Sequence, residues 1–391
     1  MRILHFIDHF ATGGAQVFLA DVLESWPNNH DRFHVVGLGR AGDLMDRYRN
    51  IPGVTVERWG ARRWSPSSVW RALRLVRGGD YDVVHAHLVK AIGVALLVGL
   101  LRHKKTAIHL HGGVQEFPAV IRAAYRMLRG GAGCVIAVSE AIKDFARDVL
   151  RFPAERIRVV HNGVRVEAFA RSAADNSVRR ELAVPEDAVV VGMAGRLVEQ
   201  KGVDVFLRAF ALVRAREPRA IAVIVGGGPL RADLEKLADD LGCSDGVRFM
   251  GWRTDMPLCY AAFDLGVVPS RWEPFGIVAV EMMAAGLATV ACAVDGIREI
   301  VSHGVDGLLV PPHDPKAMAA AILDLIRRPE WREKLGRAAR QTAATRFHIR
   351  NTAEHIRSVY TQMGAVDSNA AAKAEAGGFP NGSETDEKGS S

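Results

Sequence analysis

The chain has 391 residues, of which 49% are hydrophobic and 24% charged, with 38 glycines in no fixed period. At ~150 residues per domain this predicts two or three domains, and it excludes a disordered chain, a collagen-like fibre and a disulfide scaffold. The formal charge of +7 is unevenly divided: residues 1–180 hold 27 Lys and Arg against 16 Asp and Glu, residues 181–391 hold 24 against 28.

Short β-branched runs alternate with helical periodicity along the whole chain. In the first half strands are expected at Ile3–Ile7, Phe33–Leu38, Val54–Arg58, Asp82–His87, Thr106–Leu110, Cys134–Val138 and Arg158–His161, with helices such as Gly14–Ser25 and Pro118–Arg129 between them. A polar connector then leads to a second series at Val189–Met193, Ala222–Val225, Val247–Met250, Leu265–Val268, Thr289–Ala291 and Leu308–Val310. Several of these runs are apolar on consecutive residues, the pattern of parallel strands covered on both faces. The expected fold class is therefore α/β, with two facing doubly wound Rossmann-like domains and a ligand cleft at the C-terminal ends of their strands. The boundaries are 1–168 for the first domain, 169–188 for a linker, 189–345 for the second domain and 346–362 for a helix packing back on the first. The Ala-, Gly-, Ser- and Glu-rich residues 363–391 read as a disordered tail.

Other signals bear on the compartment. The longest apolar run, Ala91–Leu101, is well short of the ~20 residues of a membrane span. Asp8 and His9 interrupt the apolar stretch after Arg2, which argues against a signal peptide. Cys134, Cys243, Cys259 and Cys292 form no C-x-x-C pair, which points to a reducing cytoplasm. The basic first half is expected to face something anionic. A membrane surface suits it better than nucleic acid, because no aromatics interleave with the basic residues. Two apolar-plus-basic segments fit such a surface: Ala91–Leu101 with Arg102, Lys104 and Lys105, and the helix carrying Arg122, Arg126 and Arg129.

Gly37-Leu38-Gly39-Arg40-Ala41-Gly42 matches G-x-G-x-x-G after a strand, with Glu57 twenty residues beyond. The segment that follows, Asp43–Asn50, is about two turns long and has little to bury against a sheet, so the motif reads as a turn rather than a dinucleotide site.

Four stretches carry chemistry. In Arg271-Trp-Glu-Pro-Phe-Gly-Ile-Val-Ala-Val-Glu281, Glu273 falls in a loop after a strand, Phe275 and Gly276 lead into a helix, and Glu281 rides on it. Eight helical residues rise ~12 Å, which would let the two carboxylates grip opposite ends of an elongated ligand. The amides near Gly276 and Ile277 favour a phosphate between them. In Gly195-Arg196-Leu-Val-Glu-Gln-Lys201-Gly202, two cations between strand end and helix start can flank a diphosphate. Gly226-Gly227-Gly228-Pro229 and Gly13-Gly14 let backbone approach a ligand at strand ends. His85-Ala-His87 and His109-Leu-His111 point each pair to one sheet face. A metal site is one reading of them, but no acidic or cysteine ligand accompanies them, so none is expected. His111, followed by Gly112-Gly113, reads instead as a hydrogen-bonding residue of the cleft, with His85 and His109 packed.

In this order, Gly13-Gly14-Ala15, His111-Gly112, Ser139-Glu140, His161-Asn162-Gly163-Val164, Gly195-Arg196-Leu197 with Lys201-Gly202, Gly226–Pro229 and Glu273 with Glu281 resemble a family 4 glycosyltransferase of the GT-B fold. The likeness spans roughly residues 1–362. It departs at Asp295-Gly296, where the family carries Gly-Gly before the glutamate matching Glu299.

The resemblance implies retaining transfer of a hexose from a nucleotide-diphosphate sugar, UDP favoured over GDP, with no cofactor and no bound metal. It implies that Arg196 and Lys201 hold the diphosphate with amides at Gly14, Gly276 and Ile277. Glu281 would take the ribose, Glu273 the donor sugar, His111 the sugar or acceptor, and the backbone near Met250–Arg253, beside Trp252, the base. His111, Glu273, Arg196 and Lys201 are the catalytic candidates, and Gly13, Gly14, Gly227, Trp252, Phe275, Gly276, Ile277 and Glu281 complete the donor site. A glycan or polyprenyl-linked acceptor of bacterial polysaccharide synthesis, met in the cytoplasm at the inner membrane face, is the expected partner. A nucleotide-sugar epimerase of the same fold and an NAD-dependent oxidoreductase are the alternatives.

Overall fold

The computed structural model describes residues 1–60, 66–113, 117–169 and 177–376. The first seven strands are β1 (Arg2–Ile7), β2 (Arg32–Gly37), β3 (Val54–Arg58), β4 (Val83–His87), β5 (Thr106–Leu110), β6 (Cys134–Ala137) and β7 (Ile157–Val159). They form one parallel sheet in the order β3-β2-β1-β4-β5-β6-β7. The second sheet holds β8 (Val189–Ala194), β9 (Ala220–Val225), β10 (Val247–Gly251), β11 (Leu265–Val268), β12 (Ala288–Cys292) and β13 (Leu308–Val310), in the order β10-β9-β8-β11-β12-β13. It too is parallel. Every residue of β4, β5, β9 and β12 is buried, as continuous runs with both faces covered require.

Strand order reverses between β1 and β4 in the first sheet and between β8 and β11 in the second. Ligands of doubly wound sheets bind beyond the strand ends at such points. In the second sheet the flanking loops are the ones carrying Arg196 and Lys201, after β8, and Glu273, after β11.

The helices named here are α1 (Gly14–Glu24), α2 (Val89–Arg102), α3 (Ala119–Leu128), α4 (Ile277–Ala284) and α5 (Ile349–Ala376). Ile349, Ala353, Ile356 and Tyr360 form a helical stripe that buries α5 against the first sheet. There Tyr360 stacks on Trp26 at 5.9 Å and Arg357 lies 3.3 Å from Asp31. The helix continues to Ala376, so the expectation of disorder from residue 363 is corrected for 363–376. A stretch rich in alanine lacks apolar bulk to pack but has the highest helix propensity. Residues 377–391 of that expected tail lie outside the described residues, as do residues 170–176 of the expected linker.

One further expectation changes. In α2, Ala91–Leu96 together with Val98 and Gly99 is buried, so most of that apolar run is core rather than a membrane-facing strip. The G-x-G-x-x-G glycines are packing glycines: a Cβ on Gly37 would sit 2.4 Å from the Phe10 ring, and one on Gly42 2.1 Å from the Ala11 nitrogen. Glu57 is engaged by Trp59 and Arg71, and the helix after the motif is only Met45–Arg49.

Candidate functional site

At the switch point of the second sheet, the loops after β8 and β11 are locked together. Arg271 forks onto Asp204 with two 2.8 Å bonds and donates to the Glu199 carbonyl at 2.8 Å. Gly202 takes φ +60, and a Cβ there would lie 2.1 Å from the Pro269 oxygen. The loop after β9 is set just as closely, since a Cβ on Gly226 would meet the Gly195 oxygen at 1.9 Å. Gly227, by contrast, has open space where a side chain would go, so nothing within the protein requires its small size. Trp252 follows Gly251, whose carbonyl accepts from Gly226, and is 60% exposed.

These loops give the two expected cations different tasks. Lys201 lies 2.5 Å from the Glu273 carboxylate, which also accepts from Ser270 at 3.1 Å. Its charge is therefore spent on orienting Glu273. Arg196 is exposed and forms no ion pair among the described residues.

The loop from Glu273 turns into α4 through Gly276, which at φ +114 adopts a conformation natural to glycine. The first intrahelical bonds run from Ala279 and Val280 to the Gly276 carbonyl, and the amides of Gly276, Ile277 and Val278 meet no acceptor among the described residues. They form an anion-binding helix start. Only four helical steps separate Ile277 from Glu281, a rise of ~6 Å, because residues 273–276 are loop. The helical rise is therefore shorter than the ~12 Å of eight helical residues, as a loop over the first few requires.

Glu281 accepts a 2.6 Å bond from Tyr260. Burial raises its carboxyl to about 7, and the charge of Asp21 on α1 adds to the rise while Tyr260 and Lys201 oppose it. Asp21 itself is held by Arg47 at 2.6 Å and Arg165 at 3.1 Å. Phe275 is 3% exposed and stacks with His161 at 5.8 Å, so its side chain packs the junction of the halves.

Sequence reasoning missed several contributors. Asp295, the departure from the family pattern, adopts φ +32, close to the left-handed region a glycine would occupy without strain. Its carboxylate accepts from the Glu273 amide at 2.9 Å, so this replacement supports the Glu273 loop. Glu299 reaches across to the first half, accepting from the Glu140 amide at 2.9 Å and pairing with His161 at 2.8 Å. Burial works against its ionisation, but these partners hold the carboxyl below its ordinary range. Ser139 adds a 2.6 Å bond to the Pro274 carbonyl. The S-E and H-N-G-V segments had signalled a site, and their role here is to clasp the two halves.

On the first half, α1 starts at Gly14 with no side-chain cap, and a Cβ at Gly14 would meet nothing. A Cβ at Gly13 would crowd the Gln16 side chain. The neighbouring α2 is already capped: Asp8 accepts from the amides of Lys90 at 3.2 Å and Ala91 at 2.8 Å. Of the two helix starts at this switch point, α1 alone keeps its amides available. Beside it, His111 is half-buried, with Nε2 3.1 Å from His87 Nδ1 and its ring stacked on His109 at 4.2 Å. Burial lowers the His111 imidazole to about 3, so it is neutral at physiological pH.

The sequence model of glycosyltransferase family 4 matches residues 12–168, and that of glycosyl transferases group 1 matches residues 175–342. The D-inositol 3-phosphate glycosyltransferase of Saccharomonospora viridis is 39% identical over 397 residues, covering 90% of each chain, and that of Thermobispora bispora is 35% identical, again covering 90% of each. The chain belongs to the family 4 glycosyltransferases. Among solved structures, Anabaena HepE in complex with UDP superposes with a TM-score of 0.80 at 26% identity, covering 93% of this chain and all of that one. WaaG, a glycosyltransferase involved in lipopolysaccharide biosynthesis, shares the GT-B fold with a TM-score of 0.72 at 16% identity. This glycosyltransferase thus carries most of its predicted donor residues on the half that matches the group 1 model, and the donor residues Gly13 and Gly14, with His111, on the half that matches the family 4 model.

Proposed function

We propose that this enzyme moves a hexose from a UDP-sugar to a glycan or polyprenyl-linked glycan, with retention at the anomeric carbon and without a bound metal. The observation that carries this reading is the pairing of an uncommitted Arg196 with the open amide start of α4. When the bond to the leaving nucleotide breaks, negative charge gathers on the β-phosphate oxygens. A fixed guanidinium and preorganised N–H donors stabilise that charge as it develops. Lys201 completes the cationic side while aligning Glu273 for the hydroxyls of the donor sugar. Glu281 takes the ribose hydroxyls, Trp252 lies against the base, and the α1 amides at Gly14 close over the diphosphate from the other half. HepE, crystallised with UDP and glucose and with UDP-glucose, supports uridine as the base.

The acceptor side is proposed from the surface of the first half. Val120 is 75% exposed and Met127 83%, seven residues apart on one face of α3, while Arg126 stands about 100° round the helix from them and Arg129 follows in the next turn. Apolar and basic groups together suit the headgroup layer of an anionic membrane, where a lipid-linked acceptor is presented from the cytoplasmic side. None of the described helices is long and apolar enough to cross a membrane. The names of the curated relatives favour a second reading, D-inositol 3-phosphate as acceptor.

The test is UDP or GDP release in EDTA from UDP-glucose, UDP-N-acetylglucosamine and GDP-mannose, with D-inositol 3-phosphate or a polyprenyl-diphosphate glycan in anionic vesicles. Faster UDP release with the vesicle acceptor and an α-linked product supports the proposal. Stimulation by the inositol phosphate alone moves the acceptor to the second reading. Release that requires added magnesium overturns the metal-free mechanism, and release of GDP alone overturns the choice of base.

A further inference from the structure

Five histidines lie side by side in the first sheet: His5 on β1, His85 and His87 on β4, His109 on β5 and His111 just beyond it. Register explains the cluster, because His5 pairs with His85 and His87 with His109 across parallel strands. Residues two apart share a face, and that face is covered by Phe18 of α1 and Tyr360 of α5. His5, His85, His87 and His109 are buried.

Three of these rings form a chain of hydrogen bonds. His5 Nδ1 lies 3.2 Å from His87 Nε2, and His87 Nδ1 lies 3.1 Å from His111 Nε2. Each neutral imidazole carries one proton, so the chain can be ordered in only two ways. If His5 donates to His87 and His87 to His111, His111 must carry its own proton on Nδ1. If the order is reversed, His5 must carry a proton on Nε2, which is buried and has no partner among the described residues. A buried N–H with no acceptor is among the rarest features of folded proteins, so the first ordering is favoured over the second.

We infer that His5 and His87 are positioning residues that fix His111 in its Nδ1–H form, so that His111 offers the cleft an N–H donor and cannot act there as a base. The ligand group it suits is an oxygen, from a hydroxyl or a phosphate. Stacking by His109 and the edge of Phe18 hold the ring plane, and burial keeps every imidazole of the row below its ordinary range. The same nitrogens converge closely enough to hold a metal ion. Three neutral imidazoles are a donor set that zinc accepts, so uptake of a metal by the row is the competing outcome of the test.

The decisive measurement is the tautomer of His111 by long-range ¹H–¹⁵N correlation on the full chain without nucleotide. It should show Nδ1–H in the wild type, a shift to Nε2–H in His87→Leu, and recovery in His87→Asn, whose amide can stand in for Nδ1. Nε2–H in the wild type, an unchanged tautomer in His87→Leu, or stoichiometric capture of added Zn²⁺ by the row would each overturn the inference. Its role in turnover rests on the functional reading above, with UDP-glucose as the probe. His87→Leu should lower kcat for UDP release about tenfold with UDP affinity unchanged, and His87→Asn should restore it. Equal loss of kcat and UDP affinity would overturn the positioning role. Failure of the wild type to bind UDP would instead count against the functional reading and leave the tautomer result standing.

Discussion

The facing ends of the two sheets are built from different chemistry. Beyond β8 and β11 the polar groups are charged and largely paired, Lys201 with Glu273 and Arg271 with Asp204, while Arg196 has no ion-pair partner among the described residues. In the first sheet neutral imidazoles of β1 and β4 are bonded to one another, with His111, just beyond β5, as the last of the row. The first arrangement suits a ligand that brings two or more negative charges, whose binding a free cation and open amides reward. The second suits an uncharged hydroxyl-bearing group, which needs orientation without strong attraction. A transferase that must hold a nucleotide diphosphate firmly and admit a sugar acceptor loosely requires that asymmetry.

The comparison breaks most sharply at Arg196. Arg196→Ala should lower kcat for transfer by about 10²–10³, the usual loss on removing one donor to developing negative charge, while KM for the donor changes less. A variant with full activity would remove Arg196 from the reaction. Glu281→Gln should come next, weakening UDP about tenfold in calorimetry through loss of a charged hydrogen-bond acceptor. Its pH dependence sharpens the point. Because the carboxyl titrates near 7, affinity of the wild type should fall as pH drops through 7, relative to a Glu281→Gln protein that lacks this group.

Stability should also separate the two halves. In the first, the unfolded chain binds protons at histidine from about pH 6.5 downward, whereas His5 and His111 stay neutral to about 3. The unfolded state therefore holds more protons over that window, and stability falls as the pH is lowered. Glu281 acts in the opposite sense, since its native carboxyl takes a proton near 7, before the unfolded one does. Hydrogen exchange at pH 5 against pH 7 should show β1, β4 and β5 losing protection before β8 and β11. Simultaneous loss would contradict the assignment of neutral histidines to the core of the first half. The smallest effect belongs to the clasp. Glu299→Gln weakens bonds to Glu140 and His161 worth about 1–2 kcal/mol, and should lower Tm by a few degrees without abolishing UDP binding.

The strands were legible because buried parallel strands write themselves as unbroken apolar runs, and the second sheet matches expectation to within two residues at each strand end. Arg196, Lys201, Glu273 and Gly276 stand in adjacent loops, with Glu281 on the helix that follows, where the strand-to-helix spacing had put them. Their partners were not legible. Tyr260 meets Glu281 from another helix, and Glu299 meets Glu140 from 159 residues away, so only tertiary packing joins them. The H-x-H pairs showed which face each pair occupies, but the register that brings His5 beside them is set by three strands at once. The run at Ala91–Leu101 announced a helix without revealing that the core surrounds most of it. Asp295 stood out as a departure, and only its φ and its bond to the Glu273 amide explain how it fills a glycine's place.

The central claim is a metal-free uridine diphosphate site on the second half of the chain. Titration calorimetry of UDP into the protein in EDTA tests it most directly, with Arg196→Ala alongside. The expected result is saturable one-to-one binding by the wild type, unchanged by magnesium and weakened in the variant. Binding that appears only with magnesium, or affinity the variant retains in full, would contradict it.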